Sequence, residues 1–212
     1  MLNSLSTNYN RRNKNVRLYE LANIYLPKSL PLTELPAERM QFTLGMYGDG
    51  DFYDMKGVVE EFFDKAGMHK KPHYSPEDKK SFLHPGRQAD IVYDGVTVGY
   101  LGEIHPDVAD NYKIGERTYV AVTDMPSMIP FTTFDRKYTG IAKYPAVSRD
   151  ISMVVPKDVL VGQIEDVIEQ RGGKLLESYQ LFDIYEGAQI LAGFKSVAYS
   201  IAFRAKDHTL ED

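Results

Sequence analysis

The dipeptide Asp94-Gly95 constrains the fold more than any other feature of this sequence. An Asp-Gly pair favours a two-residue turn in which both residues have positive φ, and such a turn joins antiparallel strands. The segments on either side, 88–93 and 96–103, have the composition of half-buried strands. Because strands outnumber helices and neighbouring strands are joined by hairpins, the sequence predicts a largely antiparallel sheet in an α+β fold.

The clearest helix signal lies between residues 54 and 66. Apolar side chains recur there at three- and four-residue spacing, with Asp54 as the candidate N-cap and Gly67 as the residue that ends the helix. Gly57 lies inside this helix at a cost of about 1 kcal/mol relative to Ala, which predicts a close approach of the backbone there. The other predicted elements of this part are strands over 16–26, 41–47 and 117–123 and a short helix over 106–112.

The segment 125–137 is the best candidate for a linker. It contains Pro126 and Pro130 and loses the periodicity of the segments around it. We therefore place a domain boundary near residue 138, which gives predicted domains over 1–138 and 139–212.

The second domain has the order strand, helix, strand, strand. Its strands are predicted over 150–155, 175–185 and 195–204, and its helix is predicted to end at Gly172-Gly173. This order opens a ferredoxin-like fold, which needs a further helix and strand to be complete. The chain stops inside the expected cap of that helix, so we expect the domain to be truncated at its C-terminal end. The expected cap residues are Thr209, Glu211 and Asp212.

Alternation along the last strand assigns its two faces. The large apolar side chains should form the core, while the small side chains should line an open face of the sheet. Flat bases can lie close to a surface of small residues, and the neighbouring Tyr185 can stack on one of them. A plain solvent-facing sheet, or one covered by another domain, gives the same pattern. The large set is Val197, Tyr199, Ile201 and Phe203, with Ile151, Met153 and Val155 of the first strand; the small set is Ser196, Ala198, Ser200 and Ala202, with Ser152 and Val154 of the first strand.

Charge gives no general sign of nucleic-acid binding, because the formal net charge is −5. Any RNA contact must therefore be local. The one basic cluster, Arg11, Arg12, Lys14 and Arg17, suits either RNA phosphate or the solvated end of a helix, where the dipole favours cations.

Cysteine is absent, which excludes disulfides and thiolate metal sites within these residues and fits a reducing compartment. No apolar run approaches the roughly 20 residues that a helix needs to cross a bilayer. We therefore expect no membrane partner and a cytoplasmic location.

Residues with catalytic or metal-binding chemistry form no recognisable motif. His84 and His105 each precede a proline near acidic residues, but their spacing does not match HExxH or a comparable signature. Gly45, Gly48 and Gly50 suggest a turn, since neither GxGxxG nor a P-loop is present. The sequence predicts no catalytic residue and no metal site. A hydrolase or metal enzyme built on His84 and His105 stays a competing hypothesis.

A series of short strings resembles the β chain of bacterial phenylalanyl-tRNA synthetase. Each string is modest alone, but together they run in family order over nearly the whole chain. The strings in the first domain are NYNRR at 8–12, RLYE at 17–20, DFYDMKG at 51–57, HPGR at 84–87 and GYLGEIHP at 99–106. Those in the second are YPAV at 144–147 with Arg149-Asp150, LFDIYEG at 181–187, KSVA at 195–198 and HTL at 208–210.

The resemblance implies that the first domain is a class II synthetase-like antiparallel sheet with helices that has lost catalysis. Such a site needs arginines for the α- and γ-phosphates of ATP, whereas Arg39, Arg87, Arg117 and Arg136 lie in no such setting here. In the family this domain packs against the catalytic α subunit within an α2β2 heterotetramer. We therefore expect no cofactor on this chain, with ATP and magnesium used by the complete enzyme. The resemblance also implies an interface helix, most of which we expect to lie before residue 1.

For the second domain, the resemblance implies a ferredoxin-fold domain that binds the anticodon stem-loop of phenylalanine tRNA. The family's contact positions correspond to Ser152, Tyr185 and Ser196, with Tyr185 as the stacking partner of a base. With the domain expected to be truncated before its last helix and strand, we expect the first strand to be an exposed edge and RNA affinity to be weak. A protein-interaction module without RNA binding is the alternative function.

Overall fold

The computed structural model describes residues 1–138 and 140–210 and divides into two compact units, Met1–Arg136 and Lys137–Asp212. We call them unit 1 and unit 2. Both contain an antiparallel sheet with helices packed on it, which confirms the α+β fold class. Of the expected cap residues, Glu211 and Asp212 lie outside the described residues.

Unit 1 is built on a six-stranded sheet in the order β1-β2-β6-β5-β4-β3, in which neighbouring strands are antiparallel. The predicted Asp94-Gly95 hairpin is confirmed, since both residues have positive φ (50° and 81°) between β4 and β5. The elements of unit 1 are α1 (Leu2–Asn10), β1 (Val16–Leu26), β2 (Ala37–Tyr47), α2 (Phe52–Lys65), β3 (His73–Ser75), β4 (Leu83–Tyr93), β5 (Val96–Ile104), α3 (Pro106–Asn111), β6 (Thr118–Asp124) and α4 (Met125–Met128).

The capping of α2 differs from the prediction. Asp51 is the N-cap, since its carboxylate accepts hydrogen bonds from the backbone N–H groups of Tyr53 and Asp54. The Asp54 carboxylate in turn accepts a hydrogen bond from the Asp51 N–H. This reciprocal pair is a capping box. The predicted close approach at Gly57 is wrong, because nothing lies within 4 Å of a Cβ placed there.

Helices cover the two faces of this sheet unequally. On one face, α2 packs Met55, Val59 and Phe63 into the main core. On the other, α1 and α3 cover only one end, where Leu5 and Ala109 are buried. Part of this second face is therefore left open as a cleft.

The predicted linker begins too early. Residues 125–131 form α4 and a following 3-10 turn, and Met128 is 2% exposed within the core of unit 1. Proline suits the first turn of a helix, where its missing N–H costs nothing. The two prolines there are helix-start signals and do not mark a domain boundary.

Unit 2 follows the predicted strand, helix, strand, strand order. Its sheet has the order β7-β9-β8, and α5 lies on one side with Ile164 in the core. Gly173 ends the helix at φ 64°, a conformation that glycine adopts at little cost. The elements are β7 (Val147–Pro156), α5 (Val161–Gly172), β8 (Leu176–Tyr185) and β9 (Phe194–Phe203).

Candidate nucleic-acid interface

The two faces of the unit 2 sheet are assigned as the alternation predicts. Val197, Tyr199 and Ile201 of β9 are at most 5% exposed and pack with Ile164 of α5. The intervening side chains of β9 are small and point to the opposite side. We call that side the open face.

The strand register arranges the open face in four rows that run across the sheet. Directly opposite residues lie on the same face of an antiparallel pair, so β9 fixes which side chains of β7 and β8 share each row. From one end to the other, the rows from β8 through β9 to β7 are Tyr185, Ser196 and Val154; Asp183, Ala198 and Ser152; Gln180, Ser200 and Asp150; and Ser178, Ala202 and Ser148.

The structure brings the three predicted contact residues together on this face. Ser152 and Ser196 lie on adjacent strands with their hydroxyl oxygens 3.3 Å apart. Tyr185 is directly opposite Ser196 on the other side of β9. Among the described residues of unit 2, no helix packs over them: Tyr185 is 42% exposed, and Ser152 is exposed as well. The hydroxyl groups of Ser152 and Ser196 and the ring of Tyr185 thus lie next to one another on the open face.

Gly187 positions the Tyr185 ring. A Cβ added to Gly187 would lie 2.2 Å from the Tyr185 Oη and 2.4 Å from its Cζ, so the phenol rests directly on the glycine backbone. Only glycine permits this approach. The ring is therefore held near the end of the sheet and still exposes part of its surface.

Two carboxylates, which the sequence analysis did not select, also lie on the open face. Asp183 is opposite Ala198, and Asp150 is opposite Ser200. Period-two alternation was sufficient to find them, because each is two residues from a predicted contact residue. Carboxylates repel phosphate but accept hydrogen bonds from base amino groups.

Cationic side chains cluster at the Tyr185 end of the sheet. The Lys157 Nζ lies 2.7 Å from a Glu186 carboxylate oxygen, and the Lys195 Nζ donates to the Lys157 carbonyl at 3.1 Å. The Lys157 ammonium holds the pKa of Glu186 below its ordinary value, with a smaller contribution from Lys195. These cations lie at that end of the sheet and outside the four rows, and Lys195, opposite Val155, belongs to the helix side.

The prediction for Ile151 is only partly correct. It lies on the helix side of the sheet with Met153, yet it is 45% exposed. β7 is an edge of the described sheet, so one flank of Ile151 has no neighbouring strand.

The histidines and arginines of unit 1 that were considered for metal or ATP binding make hydrogen bonds and ion pairs within that unit. The His84 and His105 Nδ1 atoms accept backbone N–H groups two residues ahead, at 3.1 and 3.3 Å. Within residues 1–138 and 140–210, no group of three or more His, Cys, Asp or Glu side chains is placed to hold a metal ion. Arg39 pairs with Asp124, and Arg87 makes two bonds to Glu103 at 2.9 and 3.0 Å.

The basic cluster lies beyond the C-terminal end of α1. Arg11, Arg12 and Lys14 are exposed there, where the helix dipole favours cations. Arg17 is 3.4 Å from Asp49.

Comparison with known proteins identifies the family. Residues 1–125 match the family described as phenylalanyl tRNA synthetase beta chain CLM domain, and residues 142–212 match the ferredoxin-fold anticodon binding domain. The chain belongs to the phenylalanyl-tRNA synthetase beta chain family. The resemblance seen in the sequence is therefore confirmed, as is the ferredoxin-fold assignment of the second domain.

Two relatives in this family are phenylalanine--tRNA ligase beta subunits. The chain is 42% identical over 212 residues to that of Clostridium acetobutylicum and 36% identical over 222 residues to that of Bacillus subtilis, and both alignments cover 100% of this chain. They cover 26% and 27% of the relatives, so the chain spans about a quarter of their length.

A structural relative is a pyrrolysyl tRNA synthetase from Desulfitobacterium hafniense. The alignment has a TM-score of 0.48 and 14% identity and covers 60% of this chain and 46% of that one. Separately, no helix within the described residues is both long and apolar enough to cross a membrane.

Proposed function

We propose that unit 2 binds the anticodon stem-loop of phenylalanine tRNA through the open face, with Ser152, Tyr185 and Ser196 as contact residues. The observation that carries this proposal is the exposed Tyr185 ring, which is supported by Gly187 and lies opposite Ser196. An exposed aromatic ring beside small side chains is a stacking platform for an unpaired base.

The charges of unit 2 favour bases over phosphates on the open face. Asp150 and Asp183 repel phosphate, so a bound strand turns its bases toward the sheet. The Asp183 carboxylate and the serine hydroxyls can then accept hydrogen bonds from base amino groups. Lys157, at the Tyr185 end, supplies positive charge that can attract the sugar-phosphate backbone. This division supports loop recognition on a chain whose net charge is −5.

Hydroxyl-radical footprinting of phenylalanine tRNA on the complete ligase tests this proposal. We expect protection of the anticodon loop, and reduced protection when Tyr185→Ala is introduced into the full-length beta subunit. Protection elsewhere on the tRNA with an unprotected anticodon loop contradicts it. That second result favours a protein-interaction module instead.

For unit 1, we propose a non-catalytic scaffold for the catalytic alpha subunit. Exposed apolar side chains on the β1–β2 hairpin support an interface there: Tyr19, Leu21 and Tyr25 are 75%, 54% and 60% exposed. Exposed apolar patches of this kind mark interaction sites. Arg39 and Arg87, each paired with a carboxylate of the same unit, are unsuited to holding ATP.

In this proposal, ATP and magnesium serve the catalytic subunit of an α2β2 enzyme, and the ligase is cytoplasmic. Leu21→Asp in the full-length beta subunit should weaken assembly with the alpha subunit in sedimentation experiments. Glu34→Gln, in the loop between β1 and β2, is the matched control. Unchanged assembly of the Leu21 variant contradicts an interface at the hairpin.

A further inference from the structure

A cleft of about 180 Å³ opens on the face of the unit 1 sheet that α2 does not cover. Its floor contains Asp90, Tyr100 and Val122, which lie side by side on β4, β5 and β6. Pockets for drug-sized ligands have volumes of roughly 300–1,000 Å³. The cleft therefore suits a small group and is too small for a nucleotide.

The Lys80 side chain already fills part of this cleft. Its Nζ is 2.6 Å from the Asp90 Oδ1, 3.5 Å from the Asp78 Oδ2 and 4.8 Å from the centre of the Tyr100 ring. A carboxylate combined with an aromatic face is a common way to recognise an alkylammonium group. The Lys80 and Asp90 side chains are only 20% and 11% exposed, so the contact is largely removed from water.

The backbone of Lys80 is held independently of its side chain. Gln88 accepts the Lys80 N–H through Oε1 at 2.7 Å, and the Leu83 N–H donates to the Lys80 carbonyl at 3.0 Å. Gln88 is itself 8% exposed. Truncating the Lys80 side chain therefore removes the ammonium group beside Asp90 and leaves the hydrogen bonds of the Lys80 backbone in place.

Asp124, a third carboxylate that lines the cleft, is already engaged. Arg39 and the Ser127 N–H bind its two oxygens, and the Arg39 guanidinium neutralises its charge. The negative charge of Asp90, on the cleft floor, is therefore balanced by the Lys80 ammonium group.

We propose that the cleft contains a binding site for a primary alkylammonium group and that Lys80 occupies it as a built-in ligand. Because Lys80 is part of the chain, its effective concentration at the site is high, and a free amine competes poorly. The amino group of a free amino acid belongs to this class, so the wild-type cleft excludes it. Unit 1 thus contains an amine-recognition site that its own chain occupies.

Lys80→Ala tests the proposal, because it removes a fragment with the shape of n-propylammonium. We expect n-propylammonium chloride to bind the variant 212-residue chain saturably in calorimetry, at least about tenfold more tightly than the wild type, which corresponds to 1.4 kcal/mol. Asp90→Asn in the Lys80→Ala background should abolish this binding. A folded Lys80→Ala chain that binds n-propylammonium no better than the wild type overturns the proposal.

The matched control is Lys70→Ala. Lys70 is also 2.6 Å from a carboxylate, that of Asp94, but these side chains are 66% and 51% exposed. This pair is therefore not screened from water, so no saturable binding of n-propylammonium is expected. Equal binding by the Lys70 and Lys80 variants shows a non-specific salt effect and also overturns the proposal.

Lys80→Cys gives a test that does not depend on the folding of the alanine variant. The chain has no other cysteine, so 2-bromoethylamine alkylates only this thiolate in denaturant, forming a C–S bond and releasing bromide. The product has the length and charge of lysine, whereas 1-bromopropane gives a neutral adduct. After refolding, we expect the aminoethyl adduct to recover the wild-type Tm and the propyl adduct to remain lower. Equal Tm values overturn the proposal.

Discussion

Tyr185 and Ser196 lie directly opposite each other on β8 and β9, on the face of the unit 2 sheet opposite to α5. This pairing combines an aromatic ring with a hydroxyl group that is 3.3 Å from a second hydroxyl, on Ser152. A base stacked on the ring would have both hydroxyls along its edge. Stacking and edge recognition can therefore operate on the same nucleotide.

Tyr185→Ala in the full-length beta subunit should weaken binding of phenylalanine tRNA to the complete ligase. Loss of one stacked base costs about 1–3 kcal/mol, or roughly 5- to 150-fold in affinity. Tyr185→Phe keeps the ring and should bind close to the wild-type level. Filter binding at one fixed salt concentration measures both variants. Equal affinities for the alanine variant and the wild type contradict the stacking role.

Gly187→Ala should reduce tRNA affinity without removing any contact atom. The new Cβ would overlap the Tyr185 hydroxyl, at 2.2 Å, and so displace the ring. The φ angle of Gly187 lies outside the left-handed region, so the backbone accepts alanine and the fold should persist.

A double-mutant cycle checks the mechanism of the Gly187 effect. If Gly187 acts only through the ring, adding Gly187→Ala to Tyr185→Ala should cause no further loss of affinity. Full additivity of the two losses would show that Gly187 acts separately from Tyr185.

Period-two alternation explains why the open face was predictable from the sequence. From Ser196 to Phe203 of β9, small and large side chains alternate, and one face must be buried, so Ser196 could only lie on the other face. The same rule did not predict the exposure of Ile151, because alternation assigns a side chain to a face and does not show whether another strand lies beside it. Exposure of Ile151 depends on its position at the sheet edge.

Features that depend on distant parts of the chain were not predictable. Lys80 meets Tyr100 and Asp90 only after β4 and β5 have paired, and no local pattern marks that contact. The spacing of apolar residues also could not show whether Asp51 or Asp54 caps α2. Both are good capping residues, and only the reciprocal hydrogen bonds distinguish them.

Gly57→Ala should stabilise the chain. Gly57 is exposed within α2, and nothing lies within 4 Å of the added Cβ, so the substitution removes the conformational cost of glycine without a clash. We expect the free energy of unfolding to rise by about 0.5–1 kcal/mol. Urea denaturation measures this change. Gly67→Ala should instead destabilise the C-terminal end of α2. Gly67 has φ +79°, and the added Cβ would lie 1.9 Å from a backbone oxygen.

Asp124 should make unfolding depend on acid pH. Its carboxylate accepts hydrogen bonds from Arg39 and from the Ser127 N–H, and these interactions lower the pKa of Asp124 from 3.8 to about 2, with the Arg39 bond contributing most. A folded-state pKa below the unfolded one favours folding when the group is ionised. The stabilisation is thus complete above about pH 4 and is lost as the pH falls toward 2.

Asp124 is the N-cap of α4. Asp124→Asn removes its charge and keeps the capping function, because asparagine also caps the start of a helix. We expect the variant to be less stable than the wild type by on the order of 1–2 kcal/mol at pH 7. The difference should shrink between pH 4 and 2, since protonation of Asp124 in the wild type removes the same charge. Urea denaturation of both proteins across this range measures the difference. A gap that stays constant from pH 7 to 2 would show that shape at this position, and not the Asp124 charge, stabilises the contact with Arg39.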